Sequence, residues 1–279
     1  MNAQNPAIAN ADFIAGMAKG MAVLESFDTE RQRLNATLAA QRAGITRAAA
    51  RRHLLTLAHL GYLETDGSFY WLSAKVLRFS GSYLASARLP RVLQPALNRL
   101  AAQTGESFSA VVRDADQVVI VARNDVQNSY KLNANNNYKN NSTSSNKYAG
   151  YTPYGLHLGA RLPAHATSTG RVLLAALNEA EFEAWAQDRT LPRLTALTCT
   201  DMAKFRSLIA QIKTDDYAVA SQEHELGVHA LAVPVRNMQG STVAALNVVM
   251  QPSRLEPQEL QRELLPLLQD AARELRVLI

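Results

Sequence analysis

Apolar residues recur three or four apart near the start of the chain. Ile14, Met17, Met21 and Leu24 share one face of a helix expected over residues 13–27. A second, shorter helix is expected over 34–43, ended by Gly44. Ile45 fills the turn, Thr46 is a suitable N-cap, and a third helix runs over 47–60 with Gly61 as its stop. On that helix Ala50, Leu54 and Leu57 share an inward face. At about 100° per residue, Ala48 and Arg52 point away from it, with Arg51 at the flank and Arg47 in the first turn. Asp66-Gly67 then separates the β-prone runs 62–65 and 68–72, which is a hairpin signal.

Further on the period changes. Residues 73–104 read as one or two helices. The apolar runs 107–112 and 117–121 flank Asp114-Ala115-Asp116 and read as a hairpin. A strand is expected over 156–162, then a small polar turn over 163–170, then a helix over 171–176. Runs at 217–221, 230–235 and 242–249 complete a sheet, and an amphipathic helix over 256–278, interrupted at Pro266, closes the chain. Residues 124–153 follow none of these periods: nine of the thirty are Asn, so the segment is expected to be a long mobile loop or an insertion.

A length of 279 residues allows one large domain or two of ordinary size. With 47% hydrophobic and 19% charged residues a core can form and global disorder is excluded. No apolar run is long enough to span a bilayer, and residues 1–12 lack the pattern of a secretory signal. Cys199 is the single cysteine, which excludes an internal disulfide and any cysteine-cluster metal site. The expected compartment is the reducing cytoplasm.

The net charge of +5 is unevenly spread. Residues 31–63 hold six arginines (Arg31, Arg33, Arg42, Arg47, Arg51 and Arg52) and no Asp or Glu. A block of this kind is either a solvated basic face or the footprint of a polyanion. Two short helices joined at Gly44 and followed by a hairpin form the pattern of a winged helix-turn-helix. That combination favours double-stranded DNA, with Thr46, Arg47, Ala48, Arg51 and Arg52 as contact candidates. Small alanines let the helix N-terminus approach a groove, and arginines reach guanine edges or phosphates.

In the second half, the start of the 171–176 helix offers free N–H groups beside the hydroxyls of Thr167, Ser168 and Thr169. This suits either ordinary capping by Thr169 or a carboxylate ligand. Arg123 and Arg161, at strand ends, are candidates to meet such a carboxylate or are simply surface charges. Ser168 sits in no G-x-S-x-G elbow beside His165, so nucleophilic catalysis is not expected. Glu223, His224 and His229 lack a diagnostic metal spacing, so neither metal nor cofactor is expected.

Three stretches together carry a resemblance. AGITRAAARRHLLTLAHLGYLETDGSFYWLSAKVLRFSGSYL (43–84), GARLPAHATSTGRVLLAAL (159–177) and EHELGVHALAVPVRNMQGSTVAALNVV (223–249) resemble the IclR family of bacterial transcription regulators. TRAAARR and PAHATSTGRVLLA are most similar to the subgroup controlling protocatechuate and 4-hydroxybenzoate catabolism. The resemblance implies an α+β chain in three parts. These are a winged helix-turn-helix over 1–72, a linker helix over 73–89, and a GAF-like α/β effector-binding domain over 90–279. It implies dimers through the N-terminal domains, commonly paired into tetramers.

Carried over by motif, the implied effector-pocket residues are Tyr154, Leu162, Ser168, Thr169, Val228, Ala230, Asn247 and Val249. Family members often have an acid just before the Glu-containing motif. Here Ala220-Ser221-Gln222 stand before Glu223, so an effector hydroxyl contact made by such an acid is not expected from this stretch. The expected function is therefore DNA-binding regulation of aromatic-acid catabolism by a small aromatic acid, 4-hydroxybenzoate or protocatechuate. The alternatives are a regulator whose second domain only assembles the oligomer, and an α/β enzyme.

Overall fold

A computed structural model describes residues 8–28, 31–124, 157–250 and 257–279. It divides into two units, Met1–Ser86 and Ala87–Ile279.

In the first unit, α1 (Ala15–Glu25), α2 (Ala36–Ala43) and α3 (Arg47–His59) precede a hairpin of β1 (Leu63–Thr65) and β2 (Tyr70–Leu72). The caps explain the boundaries. Asn35 Oδ1 accepts from the N–H groups of Thr37 and Leu38, both at 3.0 Å, so α2 starts two residues later than its apolar pattern suggests. Leu34 instead bridges to Tyr70. Gly44 closes α2 at φ 65°, a conformation that a β-carbon disfavours, and Thr46 caps α3 through Ala49 N–H. Val23, Phe27, Leu34, Ala39, Ala50, Leu54, Leu63 and Tyr70 form the core.

Two expectations shift in this unit. The hairpin turn spans four residues rather than two, because Asp66 Oδ1 accepts from the N–H groups of both Ser68 and Phe69. The apolar face of α1 also remains largely uncovered: Ile14, Met17 and Met21 are exposed, and α1 meets the core through Val23 and Leu24. A short 3-10 turn, Ala74–Val76, leads into α4 (Leu77–Ser86), which has no buried residue and exposes Leu77, Phe79 and Tyr83.

The second unit is a six-stranded antiparallel sheet. Its strands are β3 (Ser107–Asp114), β4 (Gln117–Arg123), β5 (Arg161–Pro163), β6 (Ala218–Ser221), β7 (His229–Arg236) and β8 (Thr242–Met250), in the order β5-β4-β3-β8-β7-β6. Because side chains alternate across a strand, β3 and β8 each feed both layers. Phe108, Leu246 and Val248 pack with α5 (Arg88–Thr104) and α9 (Pro257–Leu275) on one face. Val111 and Ala245 pack with α6 (Ser168–Ala175), α7 (Glu179–Ala186) and α8 (Met202–Asp215) on the other.

The details correct the sequence reading in three places. The strand expected over 156–162 is confined to Arg161–Pro163, since residues 157–159 form a turn with Gly159 at φ 82°. The helix expected at 171 begins at Ser168, because Thr167, not Thr169, is its cap, with Oγ1 accepting from Gly170 N–H at 3.2 Å. The last helix passes through Pro266 without interruption. A proline there deletes one backbone hydrogen bond, while Leu264, Leu268, Ala271 and Leu275 remain buried along one face. The Asn-rich stretch expected to be a mobile loop lies, beyond Asn124, outside the described residues.

Candidate DNA interface and ligand pocket

The arginine block separates into two groups once it is folded. Arg42 donates to Ser26 O at 2.6 Å and pairs with Asp28. Arg33 pairs with Asp66 and lies over the Trp71 ring, 4.6 Å from its centroid. These two arginines are engaged within the unit. Arg47, Arg51 and Arg52 are exposed and make no ion pair or side-chain hydrogen bond among the described residues. Thr46 and Ala48 are exposed beside them. Residues four apart are neighbours on a helix, so Arg47 with Arg51 and Ala48 with Arg52 form two adjacent rows. The first turn of α3 thus presents unneutralised positive charge over small side chains.

In the second unit, a pocket opens where α6 meets the sheet. Its floor is Ser109, Val111, Ile120, Ala230, Asn247 and Val249, and its rim runs through Leu162, the start of α6 and the 223–228 loop. Gly170 explains how α6 comes so close to the preceding 3-10 turn, Ala164–Ala166: a Cβ there would lie 2.2 Å from Ala164 O. At the helix start Ser168 is 1% exposed, and its Oγ has no hydrogen-bond partner among the described residues. Nearby N–H groups and the positive helix end favour an anion at that point.

One wall of the pocket is fixed by a buried ion pair. Arg171 donates to both Glu223 oxygens, at 2.6 and 2.5 Å, and to His165 O at 2.8 Å. Cys199 N–H donates to Glu223 Oε2 at 2.9 Å, and Thr195 and Thr198 donate to the carbonyls of Gln222 and Glu223, both at 2.7 Å. The carboxylate is thereby fully engaged. Burial lowers the pKa of His165, and the nearby Arg171 charge adds to this, partly offset by its hydrogen bond to Pro192 O. Burial likewise lowers that of His224. Both rings are neutral near pH 7.

The carried-over residues Leu162, Ser168, Thr169, Val228, Ala230, Asn247 and Val249 all line this pocket, and Tyr154 lies outside the described residues. Arg161 is turned elsewhere: it hydrogen-bonds Gln117 at 2.6 Å and pairs with Asp114 at 2.5 Å. Arg123 ends β4 and does not line the pocket. Among the described residues no group of three His, Cys, Asp or Glu is placed to hold a metal, and no helix is long and apolar enough to cross a membrane.

Family models match both units: the IclR helix-turn-helix domain over residues 16–67, and the bacterial transcriptional regulator IclR C-terminal domain over 152–277. The chain is 48% identical over 270 residues to the Pca operon regulatory protein of Acinetobacter baylyi, covering 96% of this chain and 90% of that one. This chain belongs to the IclR family. It is also 48% identical over 272 residues to the p-hydroxybenzoate hydroxylase transcriptional activator of Acinetobacter baylyi, covering 98% of this chain and 94% of that one.

A solved structure is similar too: the inducer-binding domain of a double mutant of the PobR transcription factor from Acinetobacter, in complex with 3-hydroxybenzoic acid. It is 45% identical, with a TM-score of 0.58, and the match covers 68% of this chain and 98% of that one. This IclR-family protein is therefore a transcriptional regulator with a helix-turn-helix and an α+β fold, and its relatives are regulators rather than enzymes.

The sequence reading missed the Arg171–Glu223 pair and the contributions of Ser109, Val111, Ile120 and Ala220 to the pocket floor. Alternation within β3 held the only available signal, since Ser109 and Val111 share a face.

Proposed function

We propose that this IclR-family regulator binds operator DNA through the first turn of α3 and responds to a hydroxylated benzoate, 4-hydroxybenzoate or protocatechuate. The observation that carries the sensing half is Ser168 Oγ, buried without a hydrogen-bond partner among the described residues at the α6 N-terminus, in a pocket that also has apolar walls. A carboxylate placed there accepts from that hydroxyl and from the helix's first N–H groups. The aromatic ring then lies against Val111, Ile120, Leu162 and Val249. The likeness to regulators named for the Pca operon and for p-hydroxybenzoate hydroxylase supports this ligand class.

On this reading Arg47, Arg51 and Arg52, with Thr46 and Ala48, meet the major groove of a pseudo-palindromic site in the bacterial cytoplasm. A homodimer presents two such helices, and pairs of dimers form tetramers. The uncovered apolar side chains of α1 and α4 favour association through the first unit. An effector that binds one arrangement of the dimer more tightly shifts the DNA-binding heads through residues 73–87.

Calorimetric titration of the full-length protein with 4-hydroxybenzoate and protocatechuate, beside operator binding with and without each acid, tests the reading. Saturable binding that changes operator affinity is the expected result. Operator binding indifferent to every acid would leave only an assembly role for the second unit.

A further inference from the structure

On β3 and β8, Ser109 and Asn247 are directly paired across the strands, and both line the pocket. Ser109 Oγ donates to Asn247 Oδ1 at 2.6 Å. That bond has two consequences. It uses the serine's only proton, so the lone pairs of Ser109 Oγ remain as acceptors. It also holds the asparagine carbonyl, so the Asn247 Nδ2 protons are the remaining donors, and they meet no other group among the described residues. Asn247 is 7% exposed, so bulk water is a poor substitute partner. The two side chains together offer one acceptor and one donor at adjacent points on an apolar floor.

A hydroxyl group both donates and accepts one hydrogen bond, so it is the complement of this arrangement. A bare ring edge satisfies neither partner. The positions fit a ligand anchored at Ser168. Ala245 lies beneath α6, and Asn247 and Val249 follow at two-residue steps on the same face. Asn247 thus stands about 7 Å farther along the strand than Ala245.

We infer that Ser109 and Asn247 form the hydroxyl-reading element of the pocket: Asn247 Nδ2 donates to the ring hydroxyl oxygen, and Ser109 Oγ accepts the hydroxyl's hydrogen bond while orienting the amide. The inference rests on the ligand class proposed above and names the residues that discriminate within it.

The test is calorimetric titration of the full-length protein and of its S109A, S109T and N247A variants with benzoate, 4-hydroxybenzoate and protocatechuate, after thermal melts confirm folding. The wild type is expected to bind at least one hydroxylated acid about tenfold more tightly than benzoate, in line with a buried hydrogen-bonding group left unsatisfied by the plain ring. S109A is expected to abolish that preference while leaving benzoate affinity within about twofold, and S109T to retain it. Loss of both acids alike in S109A, or an undiminished preference in both S109A and N247A, overturns the inference alone. Absence of binding by the folded wild type to all three acids overturns the ligand class and the inference with it.

Discussion

Arg171 is 1% exposed and 52 residues from Glu223 in sequence, yet it joins α6, the 3-10 turn before it and the 222–223 loop. Removing one partner of such a pair leaves the other charge without compensation, which costs far more than the intact pair contributes. Arg171→Ala is therefore expected to lower unfolding free energy by about 3 kcal/mol or more, as read from chemical denaturation. Arg161→Ala, which removes an exposed pair, is expected to change it by less than about 1 kcal/mol. Equal losses would show that burial does not set the difference.

His165 acts on pH through the same wall of the pocket. Its ring is held neutral by burial, so its folded pKa lies below 6.5. Below pH 6.5 the unfolded chain takes up a proton that the folded chain resists, so the unfolded state binds more protons and stability falls as pH falls. From this group, stability should be level above about pH 6.5 and decline through the interval down to the lowered folded value. Comparing His165→Gln with the wild type in denaturant melts between pH 5 and 8 checks this. The variant should show a shallower acid-side slope, and an unchanged slope would assign the effect elsewhere.

Among the elements, α3 shows how local rules and tertiary context divide the work. Thr46, Gly44 and Gly61 punctuate it in sequence, and its boundaries in the structure follow those residues. Arg52→Ala is expected to weaken operator affinity by about 1–3 kcal/mol and to relax preference at one base pair, measured by mobility shift against single-base operator variants. Arg42→Ala should act through the stability of the unit instead, since Arg42 is held by Asp28 and Ser26.

The helix-turn-helix and the β3–β4 and β7–β8 pairs could be read from periodicity because each needs only near neighbours. Helices α7 and α8 could not. Their burial depends on Trp185 and Phe205, which meet at 5.7 Å only after the chain has folded back. The start of α6 was misplaced for a related reason: Thr167 and Thr169 are equally good caps in isolation, and Gly170 against Ala164 decides between them. Seven of the side chains that line the pocket could be found by motif; Ser109 could not, and the bonds between distant residues join positions too far apart for any local pattern to reveal.

At the scale of the whole molecule, α1 and α4 leave apolar side chains exposed on the DNA-binding unit. Ile14, Met17 and Met21 on α1 and Leu77, Phe79 and Tyr83 on α4 are all exposed. Burying them against a second copy removes that area from water and sets two recognition helices at a fixed separation. Met17→Asp combined with Met21→Asp is expected to shift the sedimentation profile toward monomer and to abolish cooperative binding to a two-half-site operator, while ligand titration is retained. A dimer unaffected by both charges would place the interface elsewhere.

The described residues that line the pocket include no lysine or arginine, and Arg171, which braces one wall, is paired with Glu223. The arginines at the start of α3 have no such counter-charge among the described residues. The two units of the regulator are therefore expected to respond to ionic strength differently. Operator affinity should fall steeply with added salt, with a log–log slope that shrinks by roughly one for each phosphate-contacting arginine removed. Affinity for a hydroxylated benzoate, which on the proposed reading rests on hydroxyl, amide and helix-end dipoles, should be nearly flat across the same titration. A cell whose osmolarity drifts would thus change how tightly the regulator holds DNA without recalibrating the acid concentration at which it responds.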